Sequence, residues 1–144
     1  MFIGKYYHSL EAKGRLSLPK RFREKSDQWI VTRGLDGGLF LFTAEAFEQH
    51  SDSLQQRSLT KKRHRDYLRI MTNEAAELSP DSNGRVHLPE YLIEFAGLHK
   101  QVVVVGSSKY IEIWDRDQYH TYVETIESEA ESIAESITTE ATHD

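Results

Sequence analysis

No cysteine occurs in the 144 residues. That excludes disulfides, thiolate metal sites and cysteine nucleophiles, and it suits a reducing compartment. No run approaches the roughly 18 apolar residues of a membrane span. The opening Met1-Phe2-Ile3-Gly4-Lys5-Tyr6-Tyr7 lacks the basic-then-apolar pattern of a signal peptide. The expectation is a cytoplasmic protein with no membrane contact. His8, His50, His64, His87, His99, His120 and His143 are scattered without a His-x-x-x-His spacing. A Gly-rich phosphate loop and a nucleophile elbow are also missing. These absences predict no metal, no cofactor, no small-molecule substrate and no enzymatic activity.

The last absence is local. From Glu124 to Asp144 there are seven acids and no Lys or Arg. The net charge of −5 is therefore concentrated in this tail, and residues 1–123 hold 18 basic against 16 acidic side chains. Lys13, Arg15, Lys20, Arg21, Arg23 and Lys25 fall in one short stretch, and Lys61, Lys62, Arg63, Arg65 and Arg69 in another. Clusters of this kind can give a basic face to a protein whose total charge is negative.

What is present is a repeat. Glu11-Ala12-Lys13-Gly14-Arg15-Leu16-Ser17-Leu18-Pro19 returns as Asp81-Ser82-Asn83-Gly84-Arg85-Val86-His87-Leu88-Pro89. Each copy predicts a hairpin turn whose Gly (Gly14 or Gly84) reverses the chain and whose Arg opens the next strand. At an offset of 70 Gly14/Gly84, Arg15/Arg85, Leu18/Leu88 and Pro19/Pro89 match; at 72, Gly34/Gly106, Phe42/Trp114 and Phe47/Tyr119. The pattern predicts an internal duplication, with each half burying its apolar face against its twin around a pseudo-twofold axis.

In chain order, Ile3 to Leu10 reads as a strand, and Leu16 and Leu18 alternate with polar residues as in a half-buried one. Pro19 opens a short helix to about Ser26, and Trp29–Arg33 and Leu39–Phe42 read as strands. Thr43 caps a helix to about His50. Ser51-Asp52-Ser53 interrupts it, and a longer helix follows from Leu54 or Thr60 to Met71. The second half repeats the order: a strand over Glu74–Leu78, the Asn83-Gly84 turn, a helix after Pro89 ending at Gly97, and strands at Val102–Val105 and Tyr110–Trp114. Tyr119 to Ile137 carries apolar residues at three- and four-residue steps, an amphipathic helix that packs on its own domain or on a neighbouring subunit. Thr138 to Asp144 is expected to be disordered. The predicted organisation is a first repeat at 3–50, a helical linker at 51–73, a second repeat at 74–120 and an acidic helix and tail at 121–144.

Met1-Phe2-Ile3-Gly4-Lys5-Tyr6, His8-Ser9-Leu10, Lys13–Pro19 and Phe22-Arg23 together resemble the N-terminal signature of the MraZ family. Asp81-x-x-Gly84-Arg85-x-x-Leu88-Pro89, Ala96-Gly97-Leu98, Val105-Gly106 and Glu112-Ile113-Trp114 resemble its second half. The resemblance covers about residues 1–122. It implies an α+β fold, mainly β with short helices, built from two fused AbrB-like swapped-hairpin β-barrel repeats. It also implies a bacterial transcriptional regulator, typically a repressor, in a ring-shaped homo-oligomer associated with the nucleoid. Its partner would be double-stranded DNA carrying short direct repeats, in the promoter of the division and cell-wall gene cluster. The family's Asp-x-x-x-Arg motif, associated with DNA binding, maps onto Glu11/Arg15 and Asp81/Arg85. Glu11 departs from the usual Asp, which keeps the charge and lengthens the arm. The tail beyond Val123 matches nothing in the family pattern.

A guanidinium fits phosphate, or guanine O6 and N7, with two parallel hydrogen bonds. Arg15 and Arg85 are therefore the DNA-binding candidates, with Lys13, Lys20 and Arg21 as added contacts; Glu11, Gly14, Asp81 and Gly84 are structural. Arg15 is the expected primary contact, because the second turn is followed by Glu90 and Glu94 instead of a basic helix. A plainer alternative is that each Arg pairs with its own acid and only fixes its turn. The run from Lys61 to Arg69 is either a second surface or a solvated helix face. The competing class is a scaffold or antitoxin-like module without DNA, in which the acidic tail binds a basic partner or covers the basic face.

Overall fold

The computed structural model describes the backbone of residues 1–143, and side-chain surroundings for all of these except Ser58 and residues 140–143. Strands β1 (Lys5–Ser9), β2 (Arg15–Ser17), β3 (Trp29–Arg33) and β4 (Leu39–Thr43) form the first half, with α1 (Lys20–Arg23) between β2 and β3. Helices α2 (Ala44–Ser58) and α3 (Lys62–Asn73) follow. The second half repeats the order with β5 (Ala76–Leu78), β6 (Arg85–His87), α4 (Glu90–Ala96), β7 (Gln101–Gly106) and β8 (Ile111–Asp115), then α5 (Arg116–Glu127) and α6 (Ala130–His143).

The halves exchange their outer strands. One sheet runs β1-β7-β8-β4-β3-β5, so β1 pairs with the second half's β7 and β5 with the first half's β3. The remaining strands form a two-stranded ribbon, β2 against β6. The two turns are therefore not ordinary hairpins, since β1 and β2 pair with different partners and meet only at a Glu11–Arg15 bridge.

Burial explains the residue pattern. Leu39 and Leu41, with Val102 and Val104, point into one core shared with Leu16 and Val86 of the ribbon and with Leu18, Phe22 and Leu92. Val103, Val105 and Trp114 point the other way, beneath Tyr119 and Tyr122 of α5. The unbroken run Val102–Val105 follows, because both faces of that strand are covered. The halves are also joined through side chains. Arg33 stacks over the Phe95 ring at 4.2 Å, a cation–π contact. Within the first half, the buried Thr32 hydroxyl ties β3 to α3 by donating to the Met71 carbonyl at 2.6 Å.

Four expectations are corrected. The fold is a mixed α+β one with more helix than strand, because α2, α3, α5 and α6 are 15, 12, 12 and 14 residues long. Helix α2 runs straight through Ser51-Asp52-Ser53: Asp52 and Ser53 are exposed, where such residues cost only a few tenths of a kcal/mol in a helix. The C-terminal segment is two helices broken at Ser128-Glu129, and the second continues past Thr138 to His143; Asp144 lies outside the described residues.

Helices α2 and α5 start alike, on Thr43 and Asp115, whose side chains accept from the Ala46 and Gln118 amides at 3.1 and 3.2 Å. Asp115 is buried and also accepts from the His99 amide and ring Nδ1, both at 3.0 Å. Burial pushes its carboxyl up, but the His99 and Gln118 amides outweigh that and hold it below the ordinary Asp value. A carboxylate whose pKa is lowered by folding stabilises above its unfolded pKa, about 3.9, and loses that contribution as the pH falls through the folded value. Asp115→Asn should therefore cost about 1–2 kcal/mol at pH 7. The difference from the parent should shrink as the pH falls below about 3.9, as read by urea denaturation across that range.

Candidate nucleic-acid interface

The two turns are built on one backbone plan. The Glu11 amide donates to the Arg15 carbonyl at 2.8 Å and the Gly14 amide to Glu11 at 3.2 Å; the Asp81–Arg85 and Gly84–Asp81 bonds repeat this at 2.9 Å each. Both closures need a left-handed glycine, Gly14 at φ 75° and Gly84 at φ 76°. Beyond the ribbon the turns lock together: the Leu18 amide donates to the Gly84 carbonyl at 3.1 Å and the Leu88 amide to Gly14 at 2.9 Å. Each glycine carbonyl thus holds the other half's chain.

On the ribbon, Leu16 opposite Val86 faces the core, while Arg15 opposite His87 and Ser17 opposite Arg85 occupy the outer face. Arg15 and Arg85 are diagonal neighbours, about 7–8 Å apart for such positions. The side chains then depart from symmetry. Asp81 folds back on its own turn: Oδ1 accepts from the Asn83 and Arg85 amides at 2.8 and 3.0 Å, and Oδ2 from Arg85 Nε at 3.2 Å. The Arg85 amide leads the interactions that draw the Asp81 carboxyl below its ordinary pKa. Glu11 caps nothing in its own turn; its longer arm crosses to the second turn, and Oε2 accepts from Arg85 Nη1 at 3.2 Å. Arg85 is consequently clasped by two acids, Glu11 first among the groups that keep it charged. The half-buried Arg15 makes no side-chain ion pair or hydrogen bond among the described residues.

A model for the family described as "MraZ protein, putative antitoxin-like" matches residues 1–70 and again 71–141. The chain belongs to the MraZ family. Among its relatives, the "Transcriptional regulator MraZ" of Ligilactobacillus salivarius (strain UCC118) is 41% identical over 138 residues, 95% of this chain and 96% of that one.

Within this MraZ fold, the residues singled out from sequence fall at or beside the ribbon. Lys13 is exposed at the tip of the first turn, in a left-handed conformation (φ 63°) uncommon for a residue with a side chain. Lys20 and Arg21 are exposed on α1, directly after the ribbon, and carry no ion pair among the described residues. The plainer alternative, an arginine held by its own acid, is the geometry at Arg85 and not at Arg15. Two neighbours outside the candidate set, one of them in the first basic cluster, also lie here. His87 is exposed across the ribbon from Arg15. Arg23 reaches from the first half onto the second turn, where Nη1 donates to the Asn83 carbonyl at 3.3 Å and lies over Gly84. Its counterpart at an offset of 70 is Ile93, which packs over Gly14; that pairing was available in the repeat alignment.

The second basic run sits on α3, and part of it is neutralised locally. Asp66 accepts from Lys62 at 2.6 Å and from Arg69 at 2.9 Å, and Arg65 donates to the Leu59 carbonyl at 2.6 Å. Among the described residues no group of three or more His, Asp or Glu is placed to hold a metal ion, and no helix is long and apolar enough to cross a membrane.

Proposed function

We propose that the chain is a sequence-specific, DNA-binding transcriptional regulator of the bacterial cytoplasm and nucleoid. It binds short direct repeats in the promoter of the division and cell-wall gene cluster, chiefly as a repressor and as a ring-shaped homo-oligomer. The observation that carries the reading is the ribbon face, where Arg15 stands without an acid partner beside the acid-held Arg85. A two-stranded ribbon fits the B-DNA major groove. Arg15 then reads base edges, and Lys13, Lys20 and Arg21 bind flanking phosphates and set the register. The name of the 41%-identical relative supports the regulatory part. We further assign the fold to the AbrB-like swapped-hairpin barrels, on the strength of the exchange of β1 and β5. The repeats are taken as 3–50 and 74–120, with 51–73 as linker and 121–144 as appendage.

A single copy offers few contacts, so binding draws on several copies along successive repeats, each raising the effective concentration of the next. Fluorescence anisotropy with one repeat and with an array tests this. The array should bind at least tenfold tighter than one repeat, and log affinity should fall with log salt by about 0.9 per phosphate neutralised. Equal affinity for one repeat and an array, at any salt, would sink the proposal. The family description "antitoxin-like" favours a protein partner as the second reading. Absence of DNA binding at low salt, by both the full chain and residues 1–123, would transfer support to it.

A further inference from the structure

The outward face of the ribbon is made by four side chains, Arg15 and Ser17 from the first repeat and Arg85 and His87 from the second. At an offset of 70 the arginines match, whereas Ser17 corresponds to His87. The residues between them, Leu16 and Val86, are both buried in the core. Positions 17 and 87 are therefore where the two repeats present different chemistry on the same face.

Register decides which neighbour each of them has. The Leu18–Gly84 and Leu88–Gly14 hydrogen bonds, at 3.1 and 2.9 Å, mark bonded pairs at the two ends of the ribbon. Bonded and non-bonded pairs alternate in an antiparallel ladder. Arg15 opposite His87 is thus a non-bonded pair, the kind in which side chains stand closest, with Cβ atoms about 4.5–5.5 Å apart. Ser17 opposite Arg85 is another. The two pairs differ in their surroundings. Glu11 and Asp81 both bind Arg85, which leaves Arg15 and His87 as the half of the face without an acid partner. The exposed His87 makes no side-chain hydrogen bond or ion pair among the described residues, so its ring nitrogens are open to a ligand. The ring lies beside the first turn, since a methyl group on Gly14 would come within 3.5 Å of its Cδ2.

We propose that His87 is a second base-reading residue, donating to the N7 of a purine in the base pair that Arg15 contacts or in the next one. The proposal rests on the entry of the ribbon into the major groove given above, and names a further residue that sets the sequence read there. An imidazole carries at least one N–H in either protonation state, and purine N7 is an acceptor on the major-groove edge. Base pairs stack about 3.4 Å apart, so a cross-strand pair of side chains spans one base pair or two. Reading then takes one residue from each repeat, and half of the chain has no such pair.

Anisotropy tests it with the full-length chain and arrays in which each purine of the repeat is replaced in turn by its 7-deaza analogue, which puts C–H in place of N7. Circular dichroism and light scattering follow folding and assembly. His87→Ala should lower affinity for the unmodified array at least about tenfold. The parent should lose affinity at one purine whose replacement costs His87→Ala nothing, while the penalties at the other purines stay the same in both proteins. His87→Gln, which keeps an N–H donor, should recover part of the loss. Parental affinity in His87→Ala overturns the proposal. A loss that is the same for every sequence, with no 7-deaza penalty removed, makes His87 a phosphate contact and also overturns it, leaving the ribbon as the DNA face. Parental affinity in both His87→Ala and Arg15→Ala removes the ribbon reading itself, and the proposal with it.

Discussion

Arg15→Ala is expected to lower affinity for the repeat array by more than a hundredfold while the chain stays folded and assembled. Loss of one arginine that reads a base costs about 1–3 kcal/mol, and every 1.4 kcal/mol is a factor of ten. The loss recurs at each subunit on the array, so even the lower figure multiplies to several decades. Stability should move by no more than about 0.5 kcal/mol, because the Arg15 side chain holds no acid that its removal would orphan. Arg85→Ala should behave differently. It leaves Glu11 and Asp81 facing one another without the guanidinium that bridges them, so the thermal midpoint falls along with DNA affinity. Anisotropy and calorimetry on the two variants separate the roles. Unchanged affinity in Arg15→Ala would remove that residue from the interface.

The second large effect concerns the glycines. Gly14→Ala should destabilise by about 3 kcal/mol, and Gly84→Ala by only about 1–2 kcal/mol. Both residues sit at left-handed φ, and that part of the cost is shared. The difference lies in what a methyl group meets. At Gly14 it lies 2.6 Å from the Leu88 carbonyl oxygen, main chain that cannot give way without disturbing the Leu88–Gly14 hydrogen bond. At Gly84 it meets the Arg23 guanidinium, the free end of a flexible side chain that can swing aside. Urea denaturation gives both values. The reverse order would mean that the turns are not interlocked through their glycine carbonyls.

The turns were legible because their requirements are local. A left-handed glycine, an arginine at the strand start and a proline opening a helix each leave a mark at a fixed position. The same holds for Thr43, whose capping role follows from its neighbours. Strand partners leave no such mark. Alternation in Leu16–Leu18 or Val86–Leu88 says which face is buried but not which strand lies alongside, so an exchange of strands between the halves came only as what the family resemblance implies. Helix α2 ran on past His50 because Asp52 and Ser53 face solvent, which residue type alone does not reveal. At the candidate site, both arginines could be named from sequence. The charges that follow each turn already favour Arg15 as the primary contact; the clasping of Arg85 was not legible, because it depends on the extra methylene of Glu11 and its reach to Arg85.

That reach gives the molecule polarity. Two identical halves would look the same after a half-turn, and would match the palindromic half-sites that symmetric dimers read. The halves of this chain differ instead, with one open arginine and one clasped arginine. Laid on a duplex it has a front and a back. Copies set side by side in one orientation would ask the DNA for the same word written again in the same direction, and a palindrome would fit only half of them.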